Sequence, residues 1–214
     1  MNKSKKHSRQ QGFTLVELLM VVLLLSIVVG AIFAQIERAQ VRYRVEDQKV
    51  DLTQQEREFI DQFTRDLHQA GYPSAAMLGP GVPANQVAAG LLSISGTDLV
   101  MEGDVDGDGV VDRVEYSYFD GSGWTGPGPN PCPCIRRSSQ PKGSATAATN
   151  YTEVQNVIGT SFFTALNSIG GAAPDLPSTK AVQITLTTQG TIQDNDVRKT
   201  IQVTMTGIAR LVNN

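Results

Sequence analysis

Glu17 limits what this chain can be more than any other residue, because it sits inside an apolar run. From Phe13 to Ala34 the only polar side chains are those of Thr14, Glu17 and Ser26. As a helix this run rises about 33 Å, enough to cross the hydrocarbon core of a bilayer. A carboxylate inside such a segment costs about 2.5 to 3.5 kcal/mol at mid-membrane, less near an end, and so marks a function. Ahead of the run, residues 1–12 carry Lys3, Lys5, Lys6 and Arg9 and no acid. By the positive-inside rule these hold the amino end in the cytoplasm and place everything after Ala34 outside it. Two ordinary readings compete, a secretory signal peptide cut after the small-residue pair Val29 and Ala31, and a plain signal anchor. Neither has a use for Glu17.

The string Gly12-Phe13-Thr14-Leu15-Val16-Glu17 resembles the processing site of type IV prepilins and pseudopilins. The resemblance implies a prepilin peptidase that cuts after Gly12 and methylates the new amine of Phe13. It also implies that Glu17, fifth residue of the mature chain, pairs with an N-terminal amine among pilin subunits joined through this helix. The spacing makes chemical sense. Cleavage leaves a cation on Phe13, and Glu17 lies one helical turn later with its side chain leaning back toward the amino end. The helix dipole favours an acid there as well.

Charge and composition narrow the remaining classes. The whole chain has 18 basic and 21 acidic residues, a formal charge of -3; without the four leader cations, 14 bases face 21 acids, or -7. That balance lacks the basic face that nucleic-acid binding needs. There is no HExxH, no nucleophile elbow and no phosphate-binding glycine loop, so the expectation is a protein that is not an enzyme. His68 reads as a surface or packing residue.

Between Phe13 and Gly71 there is no proline and one glycine, Gly30, so a single long helix is expected, ending at Gly71 and Pro73. Val45, Leu52, Phe59, Phe63, Leu67 and Ala70 fall on one face of its second half, residues 35–71. Glu46, Lys49, Asp51, Glu56, Arg57 and Glu58 are assigned to the other; a coiled-coil seam is the alternative reading. Residues 72–214 read as a β-rich head. Strands are expected at Leu99–Glu102, Val111–Phe119, Val157–Ala165, Ala181–Thr188 and Thr200–Leu211, with a weaker one at Leu91–Ser95. The stretch 189–199 reads as a long hairpin loop. Residues 120–150, rich in turn formers, read as a surface loop that adds nothing to the core, with at most a short strand near Ile135. The expected fold is therefore α+β, a long membrane-spanning helix whose second half packs on an antiparallel sheet.

The segment Phe63-Thr64-Arg65-Asp66-Leu67-His68-Gln69-Ala70-Gly71-Tyr72 resembles the end of the first helix in PilW-type minor pilins and J-type pseudopilins. Asn156-Val157 with Phe162 and Phe163, and the closing Ile208-Ala209-Arg210-Leu211-Val212-Asn213, agree with that group in outline. The group implies a structural subunit of a type IV pilus, priming or capping its tip, or of a type II secretion pseudopilus. Such a subunit waits in the inner membrane with its head outside the cytoplasm before assembly.

Two further motifs carry possible chemistry. Asp104, Asp106, Asp108, Gly109, Asp112 and Glu115 match positions one, three, five, six, nine and twelve of a calcium loop, with the Val110 carbonyl at position seven. Flanked by strands rather than helices, the loop is either a calcium site at a hairpin tip or a solvated acidic turn. If calcium binds, the head is also a candidate calcium-dependent adhesin. Cys132 and Cys134 flank Pro133 and admit a local disulfide or loop thiols without a role; a zinc site lacks two further ligands, and redox chemistry is the remote reading.

Overall fold

The computed structural model describes residues 12–125, 130, 132–146, 148–194 and 199–213. It is α+β. Helix α1 spans Leu15–Gln69, and eight strands follow: β1 Gly90–Ile94, β2 Asp98–Gly103, β3 Asp112–Phe119, β4 Cys134–Pro141, β5 Thr149–Gln155, β6 Phe163–Leu166, β7 Ala181–Asp194 and β8 Lys199–Arg210. The chain divides into two compact units, Met1–Arg44 and Val45–Asn214.

In the first unit the helix begins at Thr14, whose hydroxyl accepts the Glu17 N–H at 3.3 Å while its carbonyl accepts the Leu18 N–H at 3.2 Å. This is the side-chain cap that a helix start needs for its free N–H groups. The apolar side chains from Leu15 to Ile36 are exposed all round, which suits a lipid or protein surround rather than water. Ser26 meets the same demand internally, its hydroxyl donating to the Val22 carbonyl at 2.7 Å. By length and composition the helix can cross a membrane.

In the second unit the helix covers two antiparallel sheets, β1-β2-β3-β4-β5 and β6-β7-β8. All six residues expected on its apolar face are buried. Phe59, Phe63, Leu67 and Ala70 meet Leu99, Met101, Val114 and Tyr116 from the first sheet and Val182, Ile184 and Leu186 from the second. Phe63 lies near the centre, edge-on to Tyr116 at 5.2 Å and stacked with Phe163 at 5.7 Å between ring centroids. The sheets meet where the Gly96 carbonyl accepts the N–H groups of both Phe162 and Phe163. Gly71 then ends the helical path with a φ of 80°, and a side chain there would stand 2.6 Å from the Asn213 carbonyl oxygen. Only glycine suits both conditions.

Four expectations need correction. Residues 120–150 are not merely a surface loop: β4 and the start of β5 come from them, and β4 lies inside the sheet with Ile135 fully buried. The stretch 189–199 is largely strand, because Gln48 of α1 holds the β7 extension, donating to Thr191 Oγ1 at 2.8 Å and accepting the Ile192 N–H at 3.1 Å. Residues 195–198 of that stretch lie outside the described residues, as do 126–129, 131 and 147 of the other. The strand expected from Val157 begins only at Phe163; Val157 itself forms an isolated bridge to Thr188. Finally, Glu56 is not on the exposed face but fully buried. It follows Leu52 by four residues and precedes Phe59 by three, the spacing of one helix face.

Burial leaves Glu56 poorly satisfied. The Thr188 hydroxyl donates to Oε1 at 2.8 Å, while Oε2 has no partner among the described residues. Desolvation raises its pKa above the usual carboxylate value, against the lowering effect of the Thr188 hydrogen bonds. A pKa raised in the folded state gives stability that is complete below the unfolded pKa and lost as pH rises through the folded one. Glu56→Gln should therefore gain on the parent chain as pH is raised from about 4 toward neutrality, with little change in their difference below the unfolded pKa. Paired melting curves across that range test this, and a difference independent of pH would show that the charge is not what burial penalises.

Candidate functional sites

The processing segment is open to approach. Gly12 and Phe13 are exposed ahead of the helix, and Glu17 is exposed in its first turn. Among the described residues, a methyl group added at Gly12 would meet no atom within 4 Å, and its φ is not one of the positive values. Among the described residues nothing requires glycine there. Thr14 and Glu17 also stand as residues one and four of a capping-box spacing, with the Thr14 half of the box formed.

The acidic loop joins β2 to β3. Gly107 and Gly109 adopt φ of 78° and 84°, and the chain winds around Asp104, whose Oδ1 accepts the Gly107 N–H at 2.8 Å and Oδ2 the Gly109 N–H at 3.1 Å. Asp106 and Asp108 accept the N–H groups of Asp108 and Val110 at 3.2 and 2.7 Å. One carboxylate oxygen from each of Asp104, Asp106 and Asp108 falls within 4.8 Å of the others. Asp112 starts β3 close by, and its pKa is pushed up to about 6 by desolvation first and then by the charges of Asp106, Asp108 and Asp104, with Arg137 opposing. Neither Asp112 nor Glu115 is part of that three-carboxylate cluster. Asp112, Val114 and Tyr116 form the buried side of β3, so Glu115 leaves on the other face, opposite Val100 and Ser138.

Cys132 and Cys134 form a disulfide at the entry to β4. The Pro133 carbonyl between them accepts the Val157 N–H at 3.0 Å, tying this corner to the segment that leads into β6. His68 is exposed.

A buried polar group that the sequence did not reveal fixes α1 on the first sheet. Asp66, with 1% of its side chain exposed, accepts the Tyr116 hydroxyl and the Arg137 Nε–H on Oδ2, both at 2.7 Å, and Gln62 Nε2 on Oδ1 at 2.7 Å. Burial, with the Asp66 charge beside it, moves the Tyr116 pKa well up and keeps its hydroxyl a donor. Burial works against the Arg137 charge, but Asp66 more than offsets it and the pKa moves up. Gln48 and Glu56 fasten the same helix to β7 of the other sheet. The signal for Asp66 was its position, three residues after Phe63 and seven after Phe59 on the apolar face.

Against known proteins, residues 7–33 match the family model of the prokaryotic N-terminal methylation motif. The match contains Gly12, Phe13 and Glu17, and it supports a type IV pilin-like or pseudopilin-like protein. No curated protein and no solved structure matches the chain.

Proposed function

We propose that the chain is a structural subunit of a type IV filament, made as an inner-membrane precursor, cut after Gly12 and methylated on Phe13. The observation that carries this reading is Glu17, an acid one turn into an apolar helix and four residues after Phe13, inside the matched motif. An exposed Gly12 that no contact among the described residues requires adds support, as does a helix whose second half is docked on a β-sheet head. Within the class the reading is a minor pilin at the priming or capping end of a pilus, on the resemblance of residues 63–72 to PilW-type chains; a type II secretion pseudopilin is the alternative. Mass measurement of the first peptide of the mature protein tests it. The expected peptide begins with N-methylated Phe13, and a terminus near Ile32 would instead establish a secretory signal peptide.

The acidic loop is proposed to bind one calcium ion through Asp104, Asp106, Asp108, Asp112 and the Val110 carbonyl, with water in the place of Glu115. Hard oxygen donors are the set calcium takes, and the Asp112 pKa is raised first by burial and then by the charges of Asp106, Asp108 and Asp104, the second of which effects a bound cation would offset. Binding to the folded head alone stabilises it by about 2.7 kcal/mol at a hundredfold excess over Kd, which corresponds to several degrees in Tm. Asp104→Asn with Asp108→Asn should abolish that rise. Calorimetry that detects no ion, with unchanged melting in millimolar calcium, would reduce the loop to an acidic turn.

A further inference from the structure

A cleft of about 520 Å3 opens between α1 and the outer strands of the five-stranded sheet, within the range of about 300 to 1,000 Å3 usual for small-molecule sites. On the helix side it is lined by Gln55, Glu58, Gln62 and Arg65, spaced three, four and three residues apart on one face. Arg137 of β4 and Glu153 of β5 line the other side. Glu153 is placed there by a β-bulge. Ile135 pairs with Val154 but Arg136 pairs with Thr152, so Glu153 stands between them as the extra residue, the arrangement that re-aims a side chain.

The polar groups of this cleft are only partly used by the fold. Glu153 is half-buried, yet its carboxylate accepts no hydrogen bond among the described residues. Desolvation raises its pKa, Arg137 pulls it down and Asp66 adds to the rise. The Gln55 amide likewise bonds to no described residue, and Arg137 gives Asp66 its Nε–H alone from a guanidinium that carries several donors. Gln62 is held ready, its oxygen accepting from Arg65 at 3.0 Å and its nitrogen donating to Asp66 at 2.7 Å. Two carboxylates and two guanidiniums line the cleft, so neither sign of charge dominates, and a phosphate or a strongly cationic segment finds no field of the opposite sign. Tyr151 is the ladder partner of Arg137 and shares its face of the sheet, with 61% of its surface exposed. Its ring offers an apolar platform at low ordering cost.

We propose that this cleft binds a neutral saccharide, with Glu153 and Arg137 taking neighbouring hydroxyl groups and Tyr151 covering an apolar face of the sugar ring. Each sugar hydroxyl both donates and accepts, which matches a carboxylate beside a guanidinium and two amides. The ring faces carry C–H groups, which match the exposed tyrosine. The proposal goes beyond filament assembly and the calcium loop, and it needs only the fold of residues 45–214. A basic side chain of a neighbouring chain is the competing occupant, but Arg65 and Arg137 would repel it.

The test presents the full chain, held in phospholipid nanodiscs, to an array of immobilised neutral oligosaccharides with sialylated ones beside them. At least one neutral structure is expected to bind and to be displaced by the same sugar free in solution. Glu153→Gln should weaken that binding about tenfold or more, the effect of one hydrogen bond to a charged group. Tyr151→Ala should weaken it too, while Tyr151→Phe, which keeps the ring, should not. Because Glu153→Gln removes a desolvated charge, it should melt no lower than the parent chain, which separates lost binding from lost fold. Binding that neither Glu153→Gln nor Tyr151→Ala alters puts the sugar elsewhere and overturns the proposal. A preference for sialylated structures shows that the arginines read charge and overturns the neutral class. If no sugar binds, the proposal fails, and a fall in cross-linking between copies in Glu153→Gln then gives the cleft to a neighbouring chain.

Discussion

Asp66→Ala is expected to destabilise residues 45–214 by about 3 kcal/mol, measured by denaturant unfolding. The carboxylate neutralises Arg137, satisfies Tyr116 and ties the last turns of α1 to β3 and β4. Removing one partner of a buried ion pair costs about 3 to 5 kcal/mol because the other charge stays behind. The lower figure applies because the Arg137 side chain keeps 16% of its surface exposed and can recover some hydration. Tyr116→Phe removes one neutral donor and should cost only about 1 kcal/mol. Asp66→Leu combined with Arg137→Met, which deletes both charges, should restore much of the loss. If Asp66→Ala alone costs less than about 1 kcal/mol, the triad does not hold the helix to the first sheet.

Glu17→Ala is expected to be cut and methylated normally and yet to reach filaments about tenfold less often, or worse. The apolar run is intact without the carboxylate, so insertion and cleavage proceed. The terminal amine then has no acid to pair with in an apolar surround. A loss of about 1.4 kcal/mol already gives a tenfold deficit, and an unpaired desolvated charge costs more. The measurement is the amount of variant in sheared filaments, relative to the major subunit, beside its processed amount in the membrane. Equal incorporation of variant and parent would show that the pair is dispensable.

The apolar face of α1 was legible because burial at helical spacing leaves a pattern in the sequence, and Val45 through Ala70 carry it. The alternation of Val182, Ile184 and Leu186 was readable for the same reason. β4 was not, and its obscurity has the same cause as that of Asp66. The strand runs Cys134-Ile135-Arg136-Arg137-Ser138-Ser139-Gln140-Pro141, with one large apolar residue, yet it lies between β3 and β5. Its inward arginine is tolerable only because a helix residue 71 positions away supplies the counter-charge. Neither half of the pair looks like core by itself. Glu56 and Thr188, 132 positions apart, hid in the same way. In the acidic loop the spacing grouped the three aspartates from Asp104 to Asp108 well, since adjacent turns keep them together. Glu115 lies on the face of β3 away from Asp112, Val114 and Tyr116, an alternation that a linear motif does not encode.

Three of the side-chain fastenings of α1 among the described residues, at Gln48, Glu56 and Asp66, are eight and ten residues apart, or about 12 and 15 Å along the helix axis. Their partners lie on strands of two different sheets. Tension along the helix therefore meets all three in shear, sharing the force among them, whereas a sideways pull at the end of α1 would open them one after another like a zip. A head joined to its helix in this way resists being drawn lengthwise better than being prised off.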